Sequence, residues 1–161
     1  MLNNPDQTNP QQGARAQQIL ATAEVRGRGK AIHYRGLVTP QEAWELTQIQ
    51  AGVIIDTRTK AELDWVGRVP GAIHVEWYSY PSRERNQQLV TSIKAQFPRD
   101  AWLLLLCRTA TRSNLAGEIL AQEGFLYAFN ILEGFEGGKN SIGQRRCVDG
   151  WIKNDLPWEQ D

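Results

Sequence analysis

Apolar and polar positions along this chain fall into alternating blocks that predict strands and helices in turn. Residues 52–56 (GVIID) and 101–106 (AWLLLL) form apolar runs, a pattern typical of strands that are buried on both faces of a parallel sheet. Elsewhere apolar residues recur at helical spacing, as in residues 115–120. The predicted strands are 36–38, 52–56, 72–75, 101–106 and 125–132, and the predicted helices are 14–26, 40–50, 83–97, 111–123 and 148–154.

Local signals mark where several of these helices begin and end. Thr39 and Glu42 have the spacing of a capping box, with Pro40 at the first helical position. Pro98 and Gly124 end the helices that precede them. Because helices alternate with strands along the chain, the pattern indicates an α/β fold with a mainly parallel sheet.

The 161 residues are enough for one domain, preceded by two shorter segments. Residues 1–13 are polar and predict a disordered tail. Residues 14–35 predict an N-terminal helical extension, and residues 36–158 predict the α/β domain.

Charge and composition exclude several classes of protein. Lys and Arg balance Asp and Glu at 18 each, so neither nucleic acid nor an anionic membrane is an expected partner. Residues 1–18 lack the apolar core of a secretory signal, and the apolar run 101–107 is far shorter than the ~20 residues that span a bilayer. We therefore expect a cytoplasmic protein whose two cysteines are reduced.

Chemistry-bearing residues follow the two apolar strands, where open α/β sheets bind their ligands. Asp56 and Arg58 follow one strand, and Cys107 follows the other and precedes a predicted helix. Backbone N–H groups in such a turn lack helical partners and form an anion nest, and the helix dipole adds positive character. These effects favour the thiolate of Cys107. The alternative is a small core residue that ends a strand. The loop that would bind the anion consists of Arg108, Thr109, Ala110, Thr111, Arg112 and Ser113.

Four motifs, in the same order, resemble the single-domain rhodanese family of sulfurtransferases. Residues 107–112 (CRTATR) are similar to its C-R-x-G-x-R/T loop, and Asp56, Arg58 and Glu62 match its D-x-R-x-x-x-E signature. Residues 67–75 (GRVPGAIHV) match its G-x-I-P-G-A-x-H-I run. The closing G-G…W…G-L-P pattern is present in Gly134, Gly137, Gly138, Trp151, Leu156 and Pro157.

The resemblance implies a rhodanese-like three-layer sandwich: a five-stranded, mainly parallel sheet with helices on both faces. It implies that Cys107 takes a sulfane sulfur from thiosulfate or another donor as a persulfide and passes it to cyanide, a thiol or an acceptor protein. Arg108 and Arg112 would stabilise anions, and Asp56 would brace the loop. Arg58 and Glu62 would pair with each other or with nearby backbone. No metal or organic cofactor is implied.

Two departures from the family pattern concern the loop and its surroundings. Ala110 stands where the family has Gly, which costs ~1 kcal/mol if that position needs a positive φ. Residues 138–150 are longer than the usual link, and an expectation for this basic, glycine-rich segment is that it hangs over the cleft.

Five other side chains near these motifs have competing interpretations. Cys147 is either a thiol that resolves the Cys107 persulfide or an ordinary thiol, and the second is favoured. His74 is expected to be packed and hydrogen-bonded rather than a general base. Three aromatic residues form either a wall at the cleft or part of the core: Trp77, Tyr78 and Tyr80.

Two other functions compete with sulfur transfer. Phosphatases and arsenate reductases on similar folds use a C-x5-R loop, whereas the spacing from Cys107 to Arg112 is C-x4-R, which favours sulfur. A non-catalytic rhodanese-like interaction module commonly lacks the loop Cys or Arg, and this chain keeps both.

Overall fold

Five parallel strands form one sheet in residues 9–161, the part of the chain that the computed structural model describes. Their order across the sheet is β1–β5–β4–β2–β3. The strands are β1 (Gly36–Val38), β2 (Val53–Asp56), β3 (Ile73–His74), β4 (Trp102–Leu106) and β5 (Tyr127–Ile131). The helices are α1 (Pro10–Gly27), α2 (Pro40–Gln48), α3 (Lys60–Val66), α4 (Leu89–Gln96) and α5 (Thr111–Gln122).

The central strand β4 pairs with β2 on one side and β5 on the other. All five of its residues are buried, as the uninterrupted apolar run predicts. Alternate side chains enter two different cores: Leu104 and Leu106 belong to one, and Leu103 and Leu105 belong to the other. The strand is therefore held on both faces, and Cys107 follows it directly.

Helices cover both faces of the sheet, which confirms the predicted three-layer architecture. One core contains the buried faces of α1 and α2 together with Trp151, and the other contains those of α4 and α5. Helix α1 packs so closely on β1 that a Cβ atom on Gly36 would lie 2.6 Å from the Ala23 backbone. The helical extension therefore shares its core with the sheet.

Helix α1 begins at Pro10, four residues earlier than the sequence pattern indicates, because the Asn9 side chain accepts a hydrogen bond from the Gln11 N–H and Pro10 starts the helix. The rest of the predicted tail, residues 1–8, lies outside the described residues. Among the helices of the described chain, none combines the length and the apolar character that a membrane-spanning segment needs.

Two predicted helices differ from the structure. The predicted helix 83–97 begins only at Leu89, because residues 77–86 pair backbone to backbone and Asn86 Oδ1 accepts the Gln88 N–H at 2.9 Å. The predicted helix 148–154 is wrong, and the segment forms turns instead. Its Trp151 and Ile152 N–H groups donate to the carbonyls of residues 134 and 135, so tertiary bonds replace helical ones.

The buried face of α1 should contribute strongly to stability. Ile19 is 1% exposed, so Ile19→Ala should lower the free energy of unfolding by about 2–5 kcal/mol. Val25 on the same helix is 58% exposed, and Val25→Ala should change it by no more than about 0.5 kcal/mol. Denaturant unfolding of both variants makes the comparison, and equal effects would contradict the packing of α1 on the sheet.

Candidate active site

Cys107 lies at the carboxyl end of β4, and α5 begins four residues later at Thr111. The cysteine is 1% exposed, and its surroundings are polar as well as apolar. The Ser113 hydroxyl lies 3.2 Å from Sγ, and the side chain of Arg112 is also buried nearby. The residue is thus almost fully enclosed, and a reactant reaches the sulfur only if surrounding atoms move.

The loop's backbone N–H groups carry its anion-binding potential. Among the described residues, no acceptor takes a hydrogen bond from any N–H of residues 108–113. Ala110 has φ 66° and ψ −1°, the left-handed conformation that curls the chain just before α5. Six donors without protein partners at a helix N-terminus make a site for negative charge. That they point at Sγ remains a prediction.

The loop is instead held by its carbonyl groups. The N–H of Phe135 donates to the Cys107 oxygen at 2.8 Å, and the N–H groups of Glu136 and Gly137 donate to the Arg108 oxygen at 3.1 and 3.2 Å. A Cβ on Gly134, which has φ 74°, would lie 2.5 Å from the Arg108 backbone. Gly134 and Gly137 belong to the closing glycine motif, and the spacing of that motif was the available signal for this role.

A buried polar chain lies beneath Cys107. Ser113 Oγ is 2.7 Å from Asn130 Oδ1 and 3.2 Å from Cys107 Sγ. Asn130 Nδ2 donates to the Ala110 carbonyl at 3.1 Å. Sequence reasoning missed Asn130, although a polar residue among the apolar positions of a buried strand was a usable signal.

Arg112 forms a two-pronged ion pair with Glu62 of α3. Nη1 and Nη2 lie 2.7 and 2.6 Å from the two carboxylate oxygens. Glu62 also accepts the Thr59 N–H, completing the capping box of α3. The Arg112 guanidinium lies 5.0 Å from the centre of the Tyr78 ring. Of the two expected alternatives, Arg58 and Glu62 therefore do not pair with each other, because Glu62 holds the arginine of the Cys107 loop; both bond to nearby backbone instead.

This ion pair determines the charge state of both partners. Burial by itself would raise the pKa of Glu62, but hydrogen bonds from Arg112 and Thr59 outweigh it and lower the pKa to about 2. Burial would lower the pKa of Arg112, but Glu62 raises it above its ordinary value. Both groups are charged at neutral pH, so Arg112 brings a fixed cation to the loop.

Asp56 acts on the loop indirectly, through Arg58 and Phe135. Its carboxylate accepts from Arg58 Nε and Nη2, and both side chains are at most 1% exposed. Arg58 Nη2 also donates to the Gly67 carbonyl, the backbone contact expected of it. The Arg58 guanidinium lies 3.9 Å from the centre of the Phe135 ring. Because the Phe135 N–H binds the Cys107 carbonyl, this buried pair supports the residue that braces the loop.

The three aromatic residues expected to line one wall have different surroundings. Trp77 is buried beneath Arg85, Tyr80 is exposed against Trp65, and only Tyr78 contacts the loop arginine. The aromatic wall is thus limited to Tyr78. His74 Nε2 lies 2.7 Å from the Arg58 carbonyl oxygen, as expected for a packed, hydrogen-bonded ring.

Arg108, Thr109 and Thr111 form the outer part of the loop. Arg108 and Thr111 are exposed, and the hydroxyls of Thr109 and Thr111 are 3.5 Å apart. Within residues 9–161 Arg108 has no acidic partner. Its charge is therefore available to a ligand that approaches the Cys107 loop.

The segment 138–150 packs beside the loop-bracing residues. Arg145 Nη1 donates to the Gly137 carbonyl, and the Arg146 N–H donates to the Glu136 carbonyl. Cys147 is exposed, and its thiol contacts the Arg145 carbonyl at 3.2 Å. A resolving role for Cys147 stays untested. Two cavities, lined by residues such as Trp44 and Tyr34, lie at the amino ends of the strands, away from Cys107.

Comparison with known proteins identifies the family. The model of the family described as "Rhodanese-like domain" matches residues 39–141, from the cap of α2 to beyond the loop-bracing segment. The chain belongs to the rhodanese-like domain family. The matched region contains Cys107, its loop, Glu62, Asn130 and the Asp56–Arg58 pair.

Individual relatives agree with this assignment. A curated thiosulfate sulfurtransferase, GlpE of Glaesserella parasuis, is 25% identical over 122 residues, covering 76% of this chain and 91% of that protein. The crystal structure of Rv0390 from M. tuberculosis is 32% identical, covers 80% of this chain and 99% of its own, and has a TM-score of 0.71. A polysulfide-sulfur transferase homodimer from Wolinella succinogenes, at 20% identity, covers 92% and 89% with a TM-score of 0.56, which supports the fold alone.

The Glu62–Arg112 pair of this rhodanese-like domain should make stability depend on pH. Because the folded-state pKa of Glu62 lies below its ordinary 4.5, the contribution is present at neutral pH and is lost as pH falls from about 5 toward 2. Near neutral pH, Glu62→Gln should be less stable than the wild type by up to about 3 kcal/mol, and this difference should shrink on acidification.

Denaturant unfolding across that pH range measures the difference. Glu45→Gln is the control, since Glu45 forms an exposed pair with Arg15 and should change stability by less than about 1 kcal/mol. A Glu62→Gln difference that stays constant with pH would contradict the ion-pair explanation.

Ala110 should carry strain that glycine would relieve. Its φ of 66° is costly for any residue with a Cβ, so Ala110→Gly should raise the free energy of unfolding by up to about 1 kcal/mol. Ala121→Gly, in the helical part of α5, should lower it by about 0.5–1 kcal/mol. Thermal or denaturant unfolding measures both changes. A loss of stability in Ala110→Gly would show that the loop needs the methyl group of Ala110.

Proposed function

We propose that this rhodanese-like domain is a sulfurtransferase that moves a sulfane sulfur through a persulfide on Cys107. The observation that carries the proposal is the loop itself: residues 108–113 leave their N–H groups without protein acceptors next to a cysteine. Such a loop stabilises an anion on or near the sulfur. The named GlpE relatives support the same chemistry.

The transfer would occur in two displacement steps. The Cys107 thiolate attacks the outer sulfur of thiosulfate; an S–S bond forms on Cys107, and the bond to the sulfonate sulfur breaks, releasing sulfite. The Cys107 persulfide anion then gives its outer sulfur to cyanide or a thiolate, and its S–S bond electrons return to Cys107 Sγ as the thiolate. Neither step needs an added oxidant or reductant.

Some loop residues would attract the anionic sulfur donor, and others would stabilise the negative charge at the sulfur. Arg108 is exposed and lacks an acidic partner in the described residues, so it would attract an anionic donor to the Cys107 loop. Arg112 is held in place by Glu62 and would supply a cation beside the sulfur. The free N–H groups would bind the persulfide's terminal sulfur after transfer.

The burial of Cys107 favours small sulfur donors. The residue is 1% exposed, so a compact anion such as thiosulfate would need a smaller displacement of the surrounding atoms than a bulky donor would. A thiol or cyanide acceptor would meet the same restriction, and a protein acceptor would have to present its thiol on a protruding segment. Within the described residues no cluster of metal-ligating side chains occurs, and neither step calls for one.

Intact-mass spectrometry after incubation with thiosulfate tests this function. The wild type should gain the mass of one sulfur atom, and peptide mapping should place it on Cys107. Cys107→Ser should gain none and should lose sulfur transfer to cyanide. Cys147→Ser, which alters the exposed cysteine, should behave like the wild type.

Two results would count against the proposal. Turnover retained by Cys107→Ser would remove that residue from the chemistry. A wild-type protein that takes up no sulfur from thiosulfate or from an organic persulfide would instead fit the non-catalytic module.

A further inference from the structure

Asn130 occupies an unusual place for a polar side chain. It lies in β5 and is 4% exposed. It bonds to two residues of the Cys107 loop, Ala110 and Ser113. Its Nδ2 donates to the Ala110 carbonyl at 3.1 Å, and its Oδ1 lies 2.7 Å from Ser113 Oγ. The first bond fixes the orientation of the amide, because a flipped amide would set Oδ1 against the Ala110 oxygen.

The Ser113 hydroxyl faces two acceptors but has one hydrogen to donate. One acceptor is Asn130 Oδ1 at 2.7 Å, and the other is Cys107 Sγ at 3.2 Å. When Cys107 is a thiol, its S–H donates to Ser113 Oγ and the hydroxyl donates to Asn130. When Cys107 is a thiolate, the hydroxyl donates to the sulfur, and Asn130 Oδ1 loses its partner in a buried site, which costs energy.

We propose that Asn130 is a positioning residue that competes with Cys107 for the Ser113 proton and thereby keeps the thiolate reactive. The proposal rests on the function proposed above. In the persulfide the negative charge moves to the outer sulfur, so the Ser113 hydroxyl returns to Asn130. Asn130 thus disfavours the thiolate relative to both the thiol and the persulfide, which promotes attack on a sulfur donor.

Other charged and titratable groups around the site act alongside this pair. The loop contributes Arg108 and Arg112, α3 contributes Glu62, and Tyr78 lies against Arg112. The buried Asp56–Arg58 pair lies beneath Phe135, and the Tyr34 hydroxyl donates to Asn114 Oδ1 near Asn130. Burial raises the pKa of Tyr34 to about 12, so it stays neutral over the range of the experiment below. Substitution of Ser113 leaves these groups in place. Substitution of Asn130 removes one hydrogen-bond partner of the Tyr34 hydroxyl, which stays neutral.

The test follows the rate of Cys107 alkylation by iodoacetamide against pH, in full-length protein carrying Cys147→Ser and with no sulfur donor present. Asn130→Leu frees the Ser113 proton for the sulfur, so the pH of half-maximal rate should fall by about 0.5–1 unit. Ser113→Ala removes that donor, so the same pH should rise by about 1 unit, equivalent to tenfold less thiolate.

The double variant distinguishes a positioning role from a structural one. Because Asn130 acts through Ser113, adding Asn130→Leu to Ser113→Ala should produce no further shift. Asn86→Ala removes a part-buried amide whose side chain bonds to Glu76 and Gln88, and it should leave the profile unchanged. If Asn130→Leu does not fold, as judged by thermal unfolding, Asn130→Ala carries the same expectation.

Several outcomes would overturn the proposal. A rise or no change in the half-maximal pH of the Asn130 variants would mean that Asn130 only holds the loop. An equal shift with and without Ser113 would mean that it acts by another route. Because alkylation needs no sulfur donor, these results are separate from the thiosulfate test, which fails only if no sulfur reaches Cys107.

Discussion

The structure around Cys107 depends on holding a loop firmly while leaving its backbone N–H groups free. The fold meets this constraint by bonding to the loop's carbonyl oxygens. Backbone N–H groups of residues 135–137 bind the oxygens of Cys107 and Arg108, and the Asn130 amide binds that of Ala110. The opposite pattern would hold the loop equally well but would consume the donors that an anion needs.

Contacts between the Cys107 loop and distant segments explain why the family motifs include residues far from Cys107 in sequence. Glu62 caps α3 and also holds Arg112, so the position of one helix sets the position of the loop cation. The buried Asp56–Arg58 pair lies at the end of β2 and supports the Phe135 ring. These contacts connect α3 and the end of β2 to the Cys107 loop, and they are buried ion pairs and hydrogen bonds whose groups are paired with one another.

Much of the fold followed from local pattern. The apolar runs at β2 and β4 identified the buried strands, and the Thr39–Glu42 capping box placed the start of α2. The prediction failed where tertiary bonds compete with local periodicity: residues 83–88 pair as a loop, and residues 148–154 donate to the loop-bracing segment. In the site, the motif identified Cys107, Arg112 and Glu62, but pairing across elements could not be deduced from spacing.

The sequence by itself determined the order of the five strands, the cysteine at the end of β4 and the residue types of its loop, because these depend on periodicity and on neighbours along the chain. It did not indicate helix α3. Only the tertiary structure decided that Glu62 pairs with Arg112, that Asn130 lies against Ser113, and that Cys107 is buried. Those facts depend on how the sheet brings distant segments together. Hydrogen bonds and ion pairs form with whichever partner lies within about 3 Å, irrespective of separation along the chain.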